Sequence, residues 1–254
     1  MSGHSKWAGI KHKKAAQDAK RGRIFTKLIR EITVAAREGG SNSDTNPRLR
    51  TAIDRARGAN MPTDNIEKAI KRGTGELPGI TYEPCIFEGY GPGGVAIMVE
   101  GLTDNKNRTS AEIRNIFSKK GGNMAGSGSV AWIFSKKGYI LIDKSQISED
   151  DLFAISIDAG AEDVKTEGKN YEIFSDPQDF EIVKNALKEK NIKWEMTELT
   201  MIPNSNVQVT GQVAKQILSL IEALEDHDDV QKVYANFDIP DQILEEMAQE
   251  LSKQ

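Results

Sequence analysis

The sequence predicts an α+β protein of several domains, with a basic helical segment at its amino terminus. Apolar residues recur at helical spacing through residues 1–79, and from Tyr82 onward strands alternate with helices. The charge changes near the same place. Residues 1–75 carry 17 Lys and Arg against 7 Asp and Glu, a net charge of +10, and the remaining residues carry −14. Such asymmetry indicates a segment that binds a polyanion and an acidic remainder.

The first helix is predicted to present two contrasting faces over residues 23–37. One stripe is basic, and we expect it to stay in water while the opposite, apolar face packs against the protein. The basic stripe comprises Lys20, Arg23, Lys27, Arg30 and Arg37, and the apolar face comprises Phe25, Leu28, Ile29, Ile32 and Ala36.

Two further helices follow the loop 38–44. Asn46 is predicted to cap the second helix, with Pro47 in its first position and Gly58 at its end. Its buried stripe is Leu49, Ala52, Ile53 and Ala56. The third helix is predicted to start near Thr63 with a capping box formed by Asp64 and Glu67, to bury Ile66, Ala69 and Ile70, and to end at Gly73. Residues 73–79 are the predicted boundary of this domain.

The sequence after residue 79 is predicted to alternate between strands and helices, and this pattern excludes a single β-sandwich. The predicted strands are 82–87, 95–99, 130–134, 139–142, a strand near 164, 171–174, 194–201, 207–209 and 230–237, and the predicted helices are 107–120, 152–157, 180–190, 213–224 and one from Asp241.

Two glycine-rich stretches suggest nucleotide or phosphate binding but have simpler interpretations. Residues 89–94 match G-x-G-x-x-G, yet they lead into a strand, whereas a dinucleotide site requires a helix there. We therefore expect a turn. Residues 119–129 form a predicted loop whose amides could meet phosphate, although a simple reversal of the chain is favoured.

Composition argues against secretion, membrane insertion and catalysis. Cys85 is the only cysteine, and no apolar run resembles a signal peptide or a membrane span, so a cytoplasmic protein is expected. His4, His12 and His227 are not in metal-ligand spacing, and no nucleophile–base set is recognisable. We predict no enzyme activity, no cofactor and no small-molecule substrate. The sequence leaves the oligomeric state open.

The predicted nucleic-acid-binding residues lie at the amino terminus, where a single acid, Asp18, stands among nine cations. They are Lys6, Trp7, Lys11, Lys13, Lys14, Lys20, Arg21, Arg23, Lys27 and Arg30. A solvated charged face is the plainer interpretation of such a run. Trp7 suits either stacking on a base or anchoring the arm. After removal of Met1, Ser2-Gly3-His4 would offer four nitrogens in one plane to Cu(II) or Ni(II), with a cellular role left open.

Motifs distributed over essentially the whole chain resemble those of the YebC/PmpR family. They are residues 2–7, 10–14, 60–62, 65–66, 70–75, 82–83, 89–94, 107–109, 121–123 and 128–131. The resemblance implies three domains, namely residues 1–79, residues 80–134 with 204–254, and an inserted domain at residues 135–203. It also implies a DNA-binding transcriptional regulator, or alternatively a translation factor acting on RNA in the ribosome, as a mitochondrial relative does.

Overall fold

The computed structural model describes residues 18–240 and confirms the predicted α+β multidomain class. The described chain forms a bundle of three helices followed by two α+β parts, the second of which is inserted into the first. Contacts between Cα atoms separate two compact units. The first unit contains residues 18–131 and 207–240, and the second contains residues 132–206.

The helical bundle consists of α1 (Asp18–Gly39), α2 (Pro47–Gly58) and α3 (Thr63–Gly73). Asn46 caps α2 as predicted. Its side-chain oxygen accepts a hydrogen bond from the Leu49 amide at 3.0 Å, and its amide nitrogen donates to the Ala35 carbonyl at 2.8 Å. The side chains that form the core of the bundle include Ile32, Ala36, Leu49, Ala52, Ile53, Ala56, Ile66 and Ala69, all from the predicted apolar faces.

The predicted capping box of α3 is wrong. Pro62 occupies the cap position and no side chain makes a cap hydrogen bond. Because the helix already begins at Thr63, Asp64 lies inside the first turn. There its negative charge interacts favourably with the helix dipole. The end of α3 packs closely on α1. A Cβ atom added at Gly73 would lie 2.4 Å from the carbonyl oxygen of Thr33.

The body, as we call the α+β part of the first unit, consists of β1 (Glu83–Tyr90), β2 (Ala96–Thr103), α4 (Lys106–Lys119), β3 (Asn123–Ala125), β8 (Val207–Gln208), α7 (Gly211–Glu225), β9 (Val230–Ala235) and β10 (Phe237–Asp238). Four of the strands form an antiparallel sheet in the order β3-β1-β2-β9. Two helices cover one face of this sheet, and a short parallel pair, β8 with β10, completes the body.

The glycine-rich residues 89–94 form a turn between two antiparallel strands, as expected. A short 3-10 helix, Pro92–Gly94, links β1 to β2, and Gly93 and Gly94 both have positive φ angles. No helix follows to hold a pyrophosphate, so this motif is a strand connection.

The second unit consists of β4 (Phe134–Asp143), α5 (Glu149–Asp158), β5 (Ala161–Glu167), β6 (Asn170–Ser175), α6 (Phe180–Glu189) and β7 (Met196–Pro203). Its strands form an antiparallel sheet in the order β5-β6-β4-β7, with the two helices packed on it. The core of this unit includes Ile140, Ile142, Leu152, Ile173, Val183 and Leu187. Among the described residues, no helix combines the length and apolarity needed to cross a bilayer.

The predicted strand at residues 130–134 is wrong. Residues Ala131–Ile133 form a 3-10 helix, and one continuous strand, β4, starts at Phe134. The reason is that a side chain, and not a neighbouring strand, binds the backbone amides of this segment. The carboxylate of Glu88 accepts hydrogen bonds from the amides of Val130 and Ala131, at 2.7 and 2.9 Å, so these amides cannot join a sheet.

Candidate nucleic-acid interface

The predicted binding residues divide into three groups in the structure. Lys6, Trp7, Lys11, Lys13 and Lys14 lie outside the described residues, as does the Ser2-Gly3-His4 terminus. The backbone of Lys20 and Arg21 belongs to α1. The remaining three, Arg23, Lys27 and Arg30, lie on successive turns of α1 and face the body.

These three cations contact a short acidic stretch of the body. The acidic segment, as we call Glu225–Asp229, has the sequence Glu-Asp-His-Asp-Asp and connects α7 to β9. An Arg23 guanidinium nitrogen lies 3.0 Å from a carboxylate oxygen of Asp226. Lys27 donates to the carbonyl of Glu225, and Arg30 donates to the carbonyl of Asp228 at 2.8 Å.

Asp229 is the most heavily bonded residue of the acidic segment. Its side chain is only 3% exposed. One oxygen accepts from Arg30, and the other accepts from Thr109 at 2.6 Å and from Arg108 at 2.9 Å. Helix α4 thus supplies two donors to this carboxylate and α1 supplies one.

Hydrogen bonding determines the charge state of Asp229. Burial raises the pKa of this carboxyl group, but hydrogen bonds from Thr109, Arg108 and Arg30 outweigh burial and lower the pKa to about 2. The carboxylate is therefore ionised at neutral pH. This one buried negative charge binds both a helix of the bundle, α1, and a helix of the body, α4.

The prediction that the basic stripe of α1 stays in water is wrong for Arg30. The Arg30 side chain is 13% exposed, and its guanidinium carbon lies 5.1 Å from the centre of the Tyr82 ring, which suits a cation–π contact. Arg37 donates to the backbone carbonyl of Tyr82. The stripe therefore joins the bundle to the body.

An open groove of 690 Å³ lies beside this joint and contains a possible metal-ligand set. The ligand atoms of Glu112, His227 and Asp229 lie within 4.8 Å of one another. His227 accepts the Asp229 amide proton at Nδ1, and its Nε2 lies 2.9 Å from Glu112. Two guanidinium groups already bind the Asp229 carboxylate, and their positive charge opposes a metal ion. The set therefore suits a hydrogen-bond network.

Other cations of the bundle remain exposed. Arg57 on α2 and Lys68, Lys71 and Arg72 on α3 form no ion pair with a described acidic residue. By contrast, Arg48 at the start of α2 lies 2.7 Å from Glu31 and also pairs with Glu38. Hydrogen bonding to Glu31 is the main cause that raises the pKa of Arg48.

The glycine-rich residues 119–129 contain the unpredicted strand β3, and the amide of Gly128 near their end binds a carboxylate of the protein itself. Glu88 is 4% exposed and accepts from the amide of Gly128 at 2.7 Å, in addition to the two amides described above. Burial acts to raise the pKa of Glu88, but these three backbone donors lower it overall. An internal anion thus occupies the Gly128 amide, one of those that could have met phosphate, together with two amides just after this stretch.

Cys85 lies half-buried on β1, close to Asp229. Burial is the main cause that raises its pKa to about 11, and the charge of Asp229 adds to the effect while Lys106 opposes it. Such a thiol is protonated at neutral pH and is therefore a poor nucleophile.

Comparison with known proteins identifies the family. The model described as the TACO1/YebC N-terminal domain matches residues 5–76, and the model of the TACO1/YebC second and third domain matches residues 82–237. The chain belongs to the YebC family. A YebC-family protein of Dictyoglomus turgidum is 58% identical over 249 residues, covering 98% of this chain and all of the relative. One of Desulforapulum autotrophicum is 58% identical over 247 residues, covering 97% of this chain and all of the relative.

Both YebC relatives carry the name probable transcriptional regulatory protein. A solved structure is also similar, a conserved hypothetical protein from Aquifex aeolicus. It matches with a TM-score of 0.78 and 49% identity over 89% of this chain and 94% of that one. The relatives are thus named as regulators, and none of these names describes an enzyme.

Sequence reasoning missed the acidic segment, although one signal for it exists. A helix C-terminus disfavours acids because of its dipole, yet α7 ends with Glu225 followed by Asp226, and no basic residue lies in its last turn. Acids in such a position indicate cations nearby in the fold. In this YebC-family chain those cations come from α1, almost 200 residues earlier.

Proposed function

We propose that this protein is a nucleic-acid-binding regulator that contacts the phosphate backbone through its basic amino-terminal domain, and most directly a DNA-binding transcriptional regulator. The observation that carries the proposal is the separation of charge, +10 over residues 1–75 against −14 over the rest. Counterion release by such a segment supplies nearly all of the non-specific affinity for a nucleic acid and a large share of the specific affinity. The names of the relatives support the transcriptional role.

A ribosome-associated role in translation is the second candidate, and the helix ends of the bundle favour it. Base reading from a major groove normally uses the first residues of a helix. Here the first turn of α3 contains the exposed acid Asp64, and Arg48 at the start of α2 is held by Glu31 and Glu38. Phosphate contact without base reading suits structured RNA as well as DNA. We propose the cytoplasm as the compartment for either action.

Crosslinking in cells, followed by sequencing of both the bound DNA and the bound RNA, tests the two candidates. The transcriptional proposal requires sites that the purified protein prefers over bulk duplex by at least ~10³ at physiological salt. Recovery of ribosomal RNA alone, with no preferred duplex, would replace the transcriptional proposal with the translational one. Recovery of neither nucleic acid would reject both.

A further inference from the structure

We propose that the acidic segment is an intramolecular competitor of the nucleic acid, which holds Arg23, Lys27 and Arg30 until phosphates replace it. The inference rests on the proposed function, because it assigns the same three cations to the nucleic acid in the bound state. In the state described here, the acidic segment occupies them.

Three cations on successive turns of α1 all contact the acidic segment. Arg23 contacts Asp226, Lys27 contacts the carbonyl of Glu225, and Arg30 contacts both Asp228 and Asp229. These cations lie about one helical turn apart, roughly 5 Å along α1. A row of positive charges at that spacing can neutralise successive charges of a polyanion, whether carboxylates of this chain or phosphates of a nucleic acid.

The joint can open without disturbing either hydrophobic core. The bundle core includes Ile32 of α1 and Leu49 of α2, whereas the body core is formed by α4, α7 and the sheet, and the two cores share no residue. The contacts described across the joint are ion pairs, hydrogen bonds and one cation–π contact. Domains joined mainly by polar contacts are expected to move relative to one another.

The strength of the joint is graded along α1. Arg23 and Asp226 are 46% and 49% exposed, so salt screens their pair and little free energy is lost when it breaks. Arg30 and Asp229 are 13% and 3% exposed and form the strong end. The weak end is the one nearest in sequence to the basic arm, residues 2–20. A nucleic acid held by the arm is thus connected to the pair that opens most easily.

The test compares two full-length double variants that remove the same charge. Asp226→Asn with Asp228→Asn neutralises two exposed acids of the acidic segment. Asp64→Asn with Glu67→Gln neutralises two exposed acids of α3, within the basic domain itself. We expect the first pair to raise the affinity for a random-sequence duplex and for purified ribosomes by about three- to tenfold, and the second by less than about twofold. Thermal melting by circular dichroism checks that both variants stay folded.

Amide hydrogen exchange supplies a readout that general charge repulsion would not change. On addition of the duplex or of ribosomes to the unaltered protein, the amides of residues 226–230 should exchange faster, while those of the bundle core stay protected. Equal gains in affinity for the two double variants, or unchanged exchange at residues 226–230 in a protein that binds, would overturn this inference alone. Absence of any salt-dependent binding by the unaltered protein would overturn the proposed function as well.

Discussion

Arg30 and Asp229, 199 positions apart in the sequence, form a buried ion pair that joins the helical bundle to the body. Asp229 lies between α1 and α4, because it also binds Arg108 and Thr109 of the latter helix. Removing its charge therefore affects two interfaces.

Asp229→Asn is expected to destabilise the protein by about 3 kcal/mol, because it leaves the largely buried Arg30 without its counterion. Equilibrium unfolding in urea measures the change. Asp228→Asn is the matched control, since the Asp228 side chain is exposed and only its backbone carbonyl binds Arg30. The control should lie within about 0.5 kcal/mol of the unaltered protein. Similar small losses for both variants would show that the buried pair contributes little.

The same carboxylate predicts a pH dependence. Its pKa is about 2 in the folded protein and 3.8 as a free side chain, so the unfolded state binds more protons between these values. The stabilisation is complete above about pH 5 and is lost progressively as the pH falls through the folded pKa. Urea unfolding across this window should show a smaller loss for Asp229→Asn than for the unaltered protein. Parallel pH profiles would contradict the assignment.

Gly73→Ala should destabilise the bundle by about 1–3 kcal/mol, because the new Cβ would lie 2.4 Å from the Thr33 carbonyl oxygen and 2.8 Å from the Ala36 Cβ. Gly58→Ala at the end of α2 is the control, since a Cβ there meets nothing within 4 Å. Alanine is the better helix former, so the control should be neutral or slightly stabilising. The midpoint temperature of thermal unfolding should fall for Gly73→Ala and stay the same or rise slightly for Gly58→Ala.

Glu88→Gln should loosen the loop that leads into the second unit. A neutral side chain forms weaker hydrogen bonds than the carboxylate that now accepts from the amides of Gly128, Val130 and Ala131. We expect faster hydrogen exchange at these amides and unchanged exchange in the bundle. Glu83→Gln on the same strand is the control, because its side chain is exposed and pairs with Lys106. Equal protection in both variants would show that the loop is held by other contacts.

Deletion of residues 2–20 tests the basic arm as the electrostatic footprint. The full chain is expected to make about four to six phosphate contacts and to show a log–log salt slope of about −4 to −5 on duplex DNA. The deletion removes five lysines, Lys6, Lys11, Lys13, Lys14 and Lys20, and should reduce that slope by more than half. Exchange of Arg23, Lys27 and Arg30 for Gln removes three cations while keeping a high helix propensity, so its effect on the salt slope can be compared with that of the deletion. An unchanged slope on DNA and on ribosomes after the deletion would exclude the arm.

Local signals in the sequence predicted much of the fold. The cap formed by Asn46, the proline at position 47 and the apolar stripe of α2 depend on residues a few positions apart, which the sequence shows directly. Two of the failures have long-range causes. The strand expected at residues 130–134 is absent because Glu88 binds the Val130 amide. Arg30 is covered and not exposed because it pairs with Asp229. Periodicity can identify an amphipathic face, but it cannot identify the distant residue that will cover a charge.

Cys85 gives this protein an internal probe for opening of the strand β1. With its pKa raised to about 11, the thiol is protonated at neutral pH, and its side chain is half-buried. Alkylating reagents will therefore modify the folded chain slowly. Since the chain has no other cysteine, the rate of labelling measures the opening of a single site, with no need to introduce a dye or a second thiol.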